Sequence, residues 1–338
     1  MTPGPGRCAL TVDLQRLPLR EPFTISRRTF HDSLTATVTV AGDRGPTGRG
    51  ECEPHEWDEA GARQLIADTG LVPGVRIVPE WSAGITRTRL LDLLPRSALR
   101  NAIDCALWDW EAKARGVRAS ELAAMEWAPL PVMPTLGIDT PQAMASAAQA
   151  HRTARWLKLK VGRADGLDAE RIEAVASVAR GSSLLLDANA GWTPATLVSM
   201  LPLCQRLGVR VIEQPLDPAL NAEMPPPPGD VMFCADESCL DRNSLPDVKG
   251  RFQCINIKLD KTGGLTEALA LRQLAERCGL AVMVGMMSGS SLAVAPASLL
   301  AQGLELVDLE LGFLVEDREP AMRIEQWQLQ PPDPALWG

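Results

Sequence analysis

The 338-residue chain has no tyrosine, only three histidines, and no CxxC pair among its eight cysteines. Without tyrosine, no phenol can serve as an acid or base. The cysteines, at 8, 52, 105, 204, 234, 239, 254 and 278, are scattered. Several lie in apolar strand-like runs, where a buried thiol packs as a small hydrophobe. They suggest a reduced, cytoplasmic setting rather than a disulfide framework. No apolar run approaches the roughly 18–20 residues a membrane span requires. Met1 to Arg7 carries proline and glycine but no apolar signal core. Positive charge is also short: 34 basic against 42 acidic residues leave a net charge of −8. That balance argues against nucleic acid or an anionic membrane as partner.

What is present is a globular composition, 46% hydrophobic and 22% charged, in a chain long enough for one large domain or two ordinary ones. Residues 7–17, 34–41 and 46–52 read as short strands between Gly and Pro turns. Residues 97–115 then read as a helix, with Ala98, Ala102, Leu107, Trp110 and Ala114 near helical spacing and Gly116 beyond its end. Strands followed by a helix predict an α+β unit.

From about 131 to 310 the pattern changes to alternating strands and helices. The expected strands are Val132–Ile138, Trp156–Val161, Ser183–Ala188, Val209–Glu213, Val231–Asp236, Cys254–Lys258, Leu280–Val284 and Glu305–Leu309. Amphipathic helical stretches lie between most of them, at 141–154, 168–180, 194–207, 264–278 and 290–303. Near-continuous apolar strands are typical of a parallel sheet covered on both faces. Eight such β/α units predict a TIM-type (β/α) barrel, whose chemistry sits at the C-terminal strand ends. The expected division is a capping domain over 1–128, the barrel over 129–312 and a tail over 313–338.

Those strand ends are charged. The second ends Lys158-Leu-Lys160, the third in Asp187, the fourth in Glu213, the fifth in Asp236, the sixth in Lys258 and the eighth in Asp308-Leu-Glu310. A lone KxK is ordinarily a solvated edge, and a lone acid at a strand end is ordinarily a cap or ion-pair partner. Here the bland reading would have to hold at six strands at once, although charge at the end of an apolar strand is costly unless paired or metal-bound. Asp187, Glu213 and Asp236 come from consecutive strands and can converge on a hard cation. Carboxylates with no histidine beside them favour Mg²⁺. Lys160 and Lys258 are four strands apart, on opposite sides of the mouth. Asp308 and Glu310 face the metal position from strand eight. A carboxylate bound to Mg²⁺ can accept the charge left when its α-proton is removed, as an enediolate. A neutral lysine can take that proton, its pKa lowered by nearby cations such as Mg²⁺ and Lys158. Lysines on both faces permit removal from one side and return from the other, which inverts the carbon. Asn189 and Asp260 read as loop-shaping residues, Glu237 and Lys261 as possible partners of the site, and Met286-Met287 as packing.

These residues resemble the enolase superfamily in its muconate-lactonizing-enzyme subgroup, a group whose Lys or His base works with Mg²⁺. The motifs are WLKLKVG at 156–162, LLLDANAGW at 184–192, VIEQPL at 211–216, CADESC at 234–239 and INIKLDKTGG at 255–264. The resemblance implies an enolase-like barrel with an N-terminal capping domain and a tail returning to the cap. It makes Lys160 and Lys258 the acid/base pair and Asp187, Glu213 and Asp236 the Mg²⁺ ligands. Within the subgroup the chain is most similar to dipeptide epimerases of the L-Ala-D/L-Glu type. PFTISRR at 22–28 resembles their flexible cap loop, in which Arg27 would meet the acidic side chain of the second residue. VDLELG at 307–312 stands where they carry a DxD motif for the dipeptide's ammonium group. Glu310 departs from that motif, keeping the charge but reaching farther. Lys158, Arg27, Asp308 and Glu310 are the implied substrate contacts, a dipeptide the implied partner, and a homo-oligomer the implied assembly. The cap loops at 22–32 and 52–60, which contain His31 and His55, would close over the substrate.

Two rivals share this chemistry: o-succinylbenzoate synthase and N-acylamino acid racemase. Neither substrate carries a free ammonium group to explain Asp308 and Glu310, and muconate cycloisomerisation meets the same objection. Sugar-acid dehydration commonly uses a late-barrel histidine base, whereas His31, His55 and His151 all precede the first expected ligand. A non-catalytic binding protein on a barrel scaffold is the rival from another class, and it does not explain why both lysines and all three acids are present.

Overall fold

The computed structural model describes residues 7–26, 28–42, 45–54 and 59–338. Its first unit is an antiparallel sheet of three strands, Ala9–Thr24, Thr29–Ala41 and Thr47–Cys52, in that order. The helix Ala98–Arg115 lies across it, started by Ser97, whose side chain accepts from Arg100 N, and ended by left-handed Gly116. Helix and sheet approach closely at Gly48 and Gly50. A Cβ on Gly48 would stand 2.0 Å from Ala106 O, and one on Gly50 would stand 2.2 Å from Ala102 O. Leu10, Val12, Val38, Val40, Leu99, Ile103 and Ala106 fill the space between.

The first two strands are longer than expected. The segments 22–24 and 29–32, read from sequence as part of a cap loop, belong to a hairpin in which Phe23 pairs with Phe30 and Thr24 with Thr29. Their aromatic and β-branched side chains suit cross-strand pairing. The first strand is an edge, so Pro18 is tolerated, and the register shifts between Pro18 and Phe23.

The second unit is an eight-stranded parallel sheet running in chain order from Thr135–Leu136 to Leu306–Asp308. Its two edges meet where Met133 N donates to Val307 O at 3.1 Å, so the sheet closes as a barrel. Strands two to seven are Trp156–Lys160, Ser183–Asp187, Val209–Glu213, Met232–Ala235, Cys254–Ile257 and Ala281–Gly285. Helices 141–150, 168–178, 194–206, 265–277 and 291–300 cover the outside. After strands four and five the chain makes only short helical turns, at 218–223, 242–244 and 245–248, where the sequence pattern is irregular. The floor of the barrel is one layer of buried side chains: Met133, Trp156, Leu185, Val211, Cys234, Cys254, Met283 and Leu306.

Cap and barrel share buried polar contacts. Asp104 accepts from Thr266 N at 2.8 Å and Oγ1 at 2.7 Å, and Arg100 donates to Thr262 O and Gly263 O. The C-terminal tail returns to the cap, where Trp337 Nε1 donates to Cys105 O and Gly338 N to Asp109. All eight cysteines are free. No helix among the described residues is long and apolar enough to cross a membrane.

Candidate active site

Side chains alternate along a strand, so the residue two places beyond each floor residue points into the barrel one layer higher. That layer is Thr135, Lys158, Asp187, Glu213, Asp236, Asn256, Gly285 and Asp308. Apart from Gly285 it is wholly polar, and it lies above an apolar floor. Lys160 and Lys258 follow at the next step on strands two and six, and Glu310 at the next step on strand eight. Register places Lys160 beside Asp187 and Asp187 beside Glu213.

The ammonium groups lie among the acids. Lys160 Nζ is 2.6 Å from Asp187 Oδ2 and 3.1 Å from Asn189 Oδ1. Lys258 Nζ donates to Asp236 Oδ2 at 2.7 Å. Lys158, 1% exposed, has Nζ at 2.6 Å from Asp308, 2.8 Å from Glu213 and 2.9 Å from Asp187. Lys261 Nζ donates to Asp236 and also to the carbonyls of Cys239 and Asn256.

This crowding sets the protonation states. Burial works against charge on Asp187 and Asp236, but the lysines outweigh it and hold both carboxyls well below the usual range. Glu213 goes the other way, pushed up to about 7 by burial and by Asp187. Burial and Asp236 likewise raise Glu237 to about 7. Lys258 is held above the ordinary lysine range, because Asp236 and Glu213 overcome the effect of burial. Lys158 is raised in the same way by Asp187, Asp308 and Glu213.

Among the described residues, no three acidic, imidazole or thiol side chains are gathered closely enough to hold a metal as they stand. Lys158, between Asp187 and Glu213, takes up that space. The donor set itself suits Mg²⁺: three hard carboxylates from adjacent strands, with Asp187 and Glu213 already gathered around one positive charge, the Lys158 ammonium, at 2.9 and 2.8 Å.

Asp308, expected to face a substrate ammonium, is engaged by Lys158 and accepts from Thr135 Oγ1 at 3.1 Å. Glu310 is pushed up to about 8, by burial first and by Asp308 second, although it accepts from the Thr135 backbone. Arg27 and His55 lie outside the described residues. His31 lines a small cavity of about 110 Å³ in the cap hairpin with Arg16, Arg28 and Phe30. His151 packs edge-on against Trp327.

Asn189, which reads from sequence as a loop-shaping residue, lies against Lys160 in the structure. Gln214 was not anticipated. Its buried amide accepts from Asp236 N and Ser238 N and donates to Leu216 O, tying the end of strand four to that of strand five. Also unanticipated are two cap acids that pin the loop after strand seven. Glu53 accepts from Ser288 N and Oγ, and Glu51 accepts from Ser290 N. The available signal was the spacing of Glu51 at the end of a short cap strand and Glu53 just beyond it, since an extended chain turns both to the same side.

Comparison with known proteins agrees with this architecture. Residues 8–123 match the mandelate racemase / muconate lactonizing enzyme N-terminal domain, and residues 142–333 match the enolase C-terminal domain-like family. The chain is 39% identical over 303 residues to an N-acetyl-D-glutamate racemase from Pseudoalteromonas sp, covering 89% of this chain and 94% of that one. It is 35% identical over 322 residues to the L-Ala-D/L-Glu epimerase of Escherichia coli strain K12, covering 92% and 96%. Among solved structures, an Agrobacterium tumefaciens enolase family member with homology to dipeptide epimerases superposes with a TM-score of 0.89. That structure, with sodium and L-Ala-L-Glu bound, is 37% identical, and the match covers 98% of this chain and 100% of that one. With both of its domains matched and relatives aligned over nearly its full length, the chain belongs to the mandelate racemase / muconate lactonizing enzyme family of enolase-like proteins.

Proposed function

We propose that the chain is an isomerase, a Mg²⁺-dependent dipeptide epimerase that inverts the α-carbon of the C-terminal residue of L-Ala-D/L-Glu-type dipeptides. The observation that carries this reading is the placement of Lys160 and Lys258 four strands apart, with Asp187, Glu213 and Asp236 on the three strands between. One lysine removes the α-proton from one face, and the other returns a proton to the opposite face. The relative from Escherichia coli and the L-Ala-L-Glu in the Agrobacterium structure support the substrate class.

Asp187, Glu213 and Asp236 would hold the ion. When bound, Mg²⁺ would supply positive charge that stabilises the substrate carboxylate as its α-proton leaves, and ligation by Asp187, Glu213 and Asp236 would draw those carboxylates away from the lysines. The second effect matters because an ammonium group tied to Asp187 or Asp236 cannot accept a proton. Asn189 orients Lys160 through its 3.1 Å contact, and Lys261 steadies Asp236. Arg27 is assigned to the acidic side chain of the second residue, and Asp308 with Glu310 to the ammonium group. Free, mostly buried cysteines support a cytoplasmic enzyme. L-Ala-D-Glu from cell-wall peptide turnover is the physiological substrate in this reading, and a homo-oligomer is the assembly.

A second reading has its own observation. Lys158 already pairs with Asp308 at 2.6 Å, which favours a substrate with an uncharged nitrogen, and the relative from Pseudoalteromonas is an N-acetyl-D-glutamate racemase. Polarimetry of L-Ala-D-Glu and N-acetyl-D-glutamate, each with and without Mg²⁺, separates the two. Faster inversion of the dipeptide supports the first reading, and faster inversion of the N-acetyl compound supports the second. Inversion of neither removes both.

A further inference from the structure

Seven of the eight positions in the inward layer above the barrel floor carry a polar side chain, and the eighth is Gly285 on strand seven. Its backbone does not require glycine, because it is not among the residues with positive φ. The space it leaves is taken by its neighbour on strand six. A Cβ on Gly285 would stand 2.8 Å from Asn256 Oδ1 and 2.9 Å from Nδ2. Asn256 is fully buried, and its Nδ2 reaches across strand five to donate to Glu213 Oε1 at 2.7 Å. The donor end of the amide, Nδ2, is the end that faces Glu213, and the carboxylate oxygen accepts from it.

We propose that Asn256 is a positioning residue that orients Glu213 for the cation, and that Gly285 is the space this amide requires. The inference rests on the reading of Glu213 as a metal ligand. Three observations converge on it. The amide engages Oε1 alone and leaves Oε2 turned into the barrel, where it faces the Lys158 ammonium at 2.8 Å in the space between the acids. The Asn256 Oδ1 atom is itself buried with no partner. A group that leaves one of its own polar atoms unpaired is poorly explained as a stability element, since such atoms are costly to bury. Finally, the glycine on the neighbouring strand gives up packing that a side chain would have provided. Hydrogen bonds to the back of a metal ligand fix its direction, and their loss typically weakens metal binding roughly 10–100-fold.

The test is titration of metal-free protein with Mg²⁺ by calorimetry and with Mn²⁺ by electron paramagnetic resonance, without substrate. The proteins are wild type, Asn256→Ala, Gly285→Ala and the double variant. The expected result is affinity weakened roughly 10–100-fold in Asn256→Ala, with an altered Mn²⁺ spectrum, and a similar loss in Gly285→Ala. The double variant should be no weaker than Asn256→Ala, because Gly285 acts only through the amide. Unchanged Mg²⁺ affinity and an unchanged Mn²⁺ spectrum in Asn256→Ala overturn the proposal. Additive losses overturn the part assigned to Gly285. If Asn256→Ala does not fold, as far-ultraviolet circular dichroism would show, Gly285→Ala alone decides: a weaker site supports the proposal and an unchanged one refutes it. A wild type that binds neither ion refutes the ligand reading of Glu213, which is a separate failure.

Discussion

Lys158 Nζ lies 2.6 Å from Asp308 Oδ2 and joins the second barrel strand to the eighth inside the closed barrel. The same ammonium group reaches Asp187 and Glu213. Without a metal it is therefore the counter-charge at the centre of three buried carboxylates. Replacing Lys158 by Met should lower the stability of the metal-free protein by about 3–5 kcal/mol, the usual cost of breaking a buried ion pair from one side. Mg²⁺ should restore part of that loss in the variant. Urea unfolding with and without Mg²⁺ tests this, and equal stability of variant and wild type in the metal-free state would contradict it.

The two lysines should be separable from the fold. Lys160→Ala and Lys258→Ala should each lower the epimerisation rate by about 10²–10⁴, the usual contribution of a positioned acid or base, with little change in circular dichroism. Normal turnover in either variant would remove the two-base scheme.

Asp308 discriminates between substrate classes. If its charge meets a dipeptide ammonium group, Asp308→Asn should lower kcat/KM for L-Ala-D-Glu by about 10–100-fold, as expected for one charge-assisted hydrogen bond. N-acetyl-D-glutamate should be affected much less. Equal losses for both substrates would mean that Asp308 acts by holding Lys158.

Stability should also depend on pH through Asp104, buried between cap helix and barrel. Burial raises its carboxyl to about 6 from an ordinary 3.8, against the two hydrogen bonds from Thr266. Because the folded state keeps the proton longer than the unfolded chain, this group lowers stability as pH rises from about 4 through about 6. Relative to an Asp104→Asn variant, the wild type should lose roughly 3 kcal/mol over that window. Denaturation midpoints at pH 4 and pH 7 measure it, and parallel pH profiles would contradict it.

Much of this site can be read from the residues alone, because charge at the end of an apolar strand demands a reason. Lys158, Lys160, Asp187, Glu213, Asp236, Lys258 and Asp308 all stand out in that way, and alternation with the floor residues brings them to one end of the barrel. Asn256 and Gly285 do not stand out. An amide inside INIK and a glycine ending AVMVG are ordinary in a strand, and only the meeting of strands four, six and seven gives them a role. The length of the cap hairpin is hidden in the sequence, because Pro18 and Pro22 read as strand breaks whereas an edge strand accommodates proline. Asp308 reads from sequence as open to a substrate, because sequence order does not reveal that Lys158 reaches strand eight. The cap's hold on the loop after strand seven, through Glu51 and Glu53, likewise depends on contacts more than 230 residues apart in sequence.

The central claim is proton transfer at a carbon next to a carboxylate by two opposed lysines. It is tested most directly by deuterium incorporation from heavy water into L-Ala-D-Glu and L-Ala-L-Glu, followed by NMR with Mg²⁺. Wild type should exchange the α-proton of both isomers. Lys160→Ala should lose first-step exchange from one isomer and Lys258→Ala from the other. Loss of both exchanges together in one variant, with neither affected in the other, would contradict the account and leave a single base.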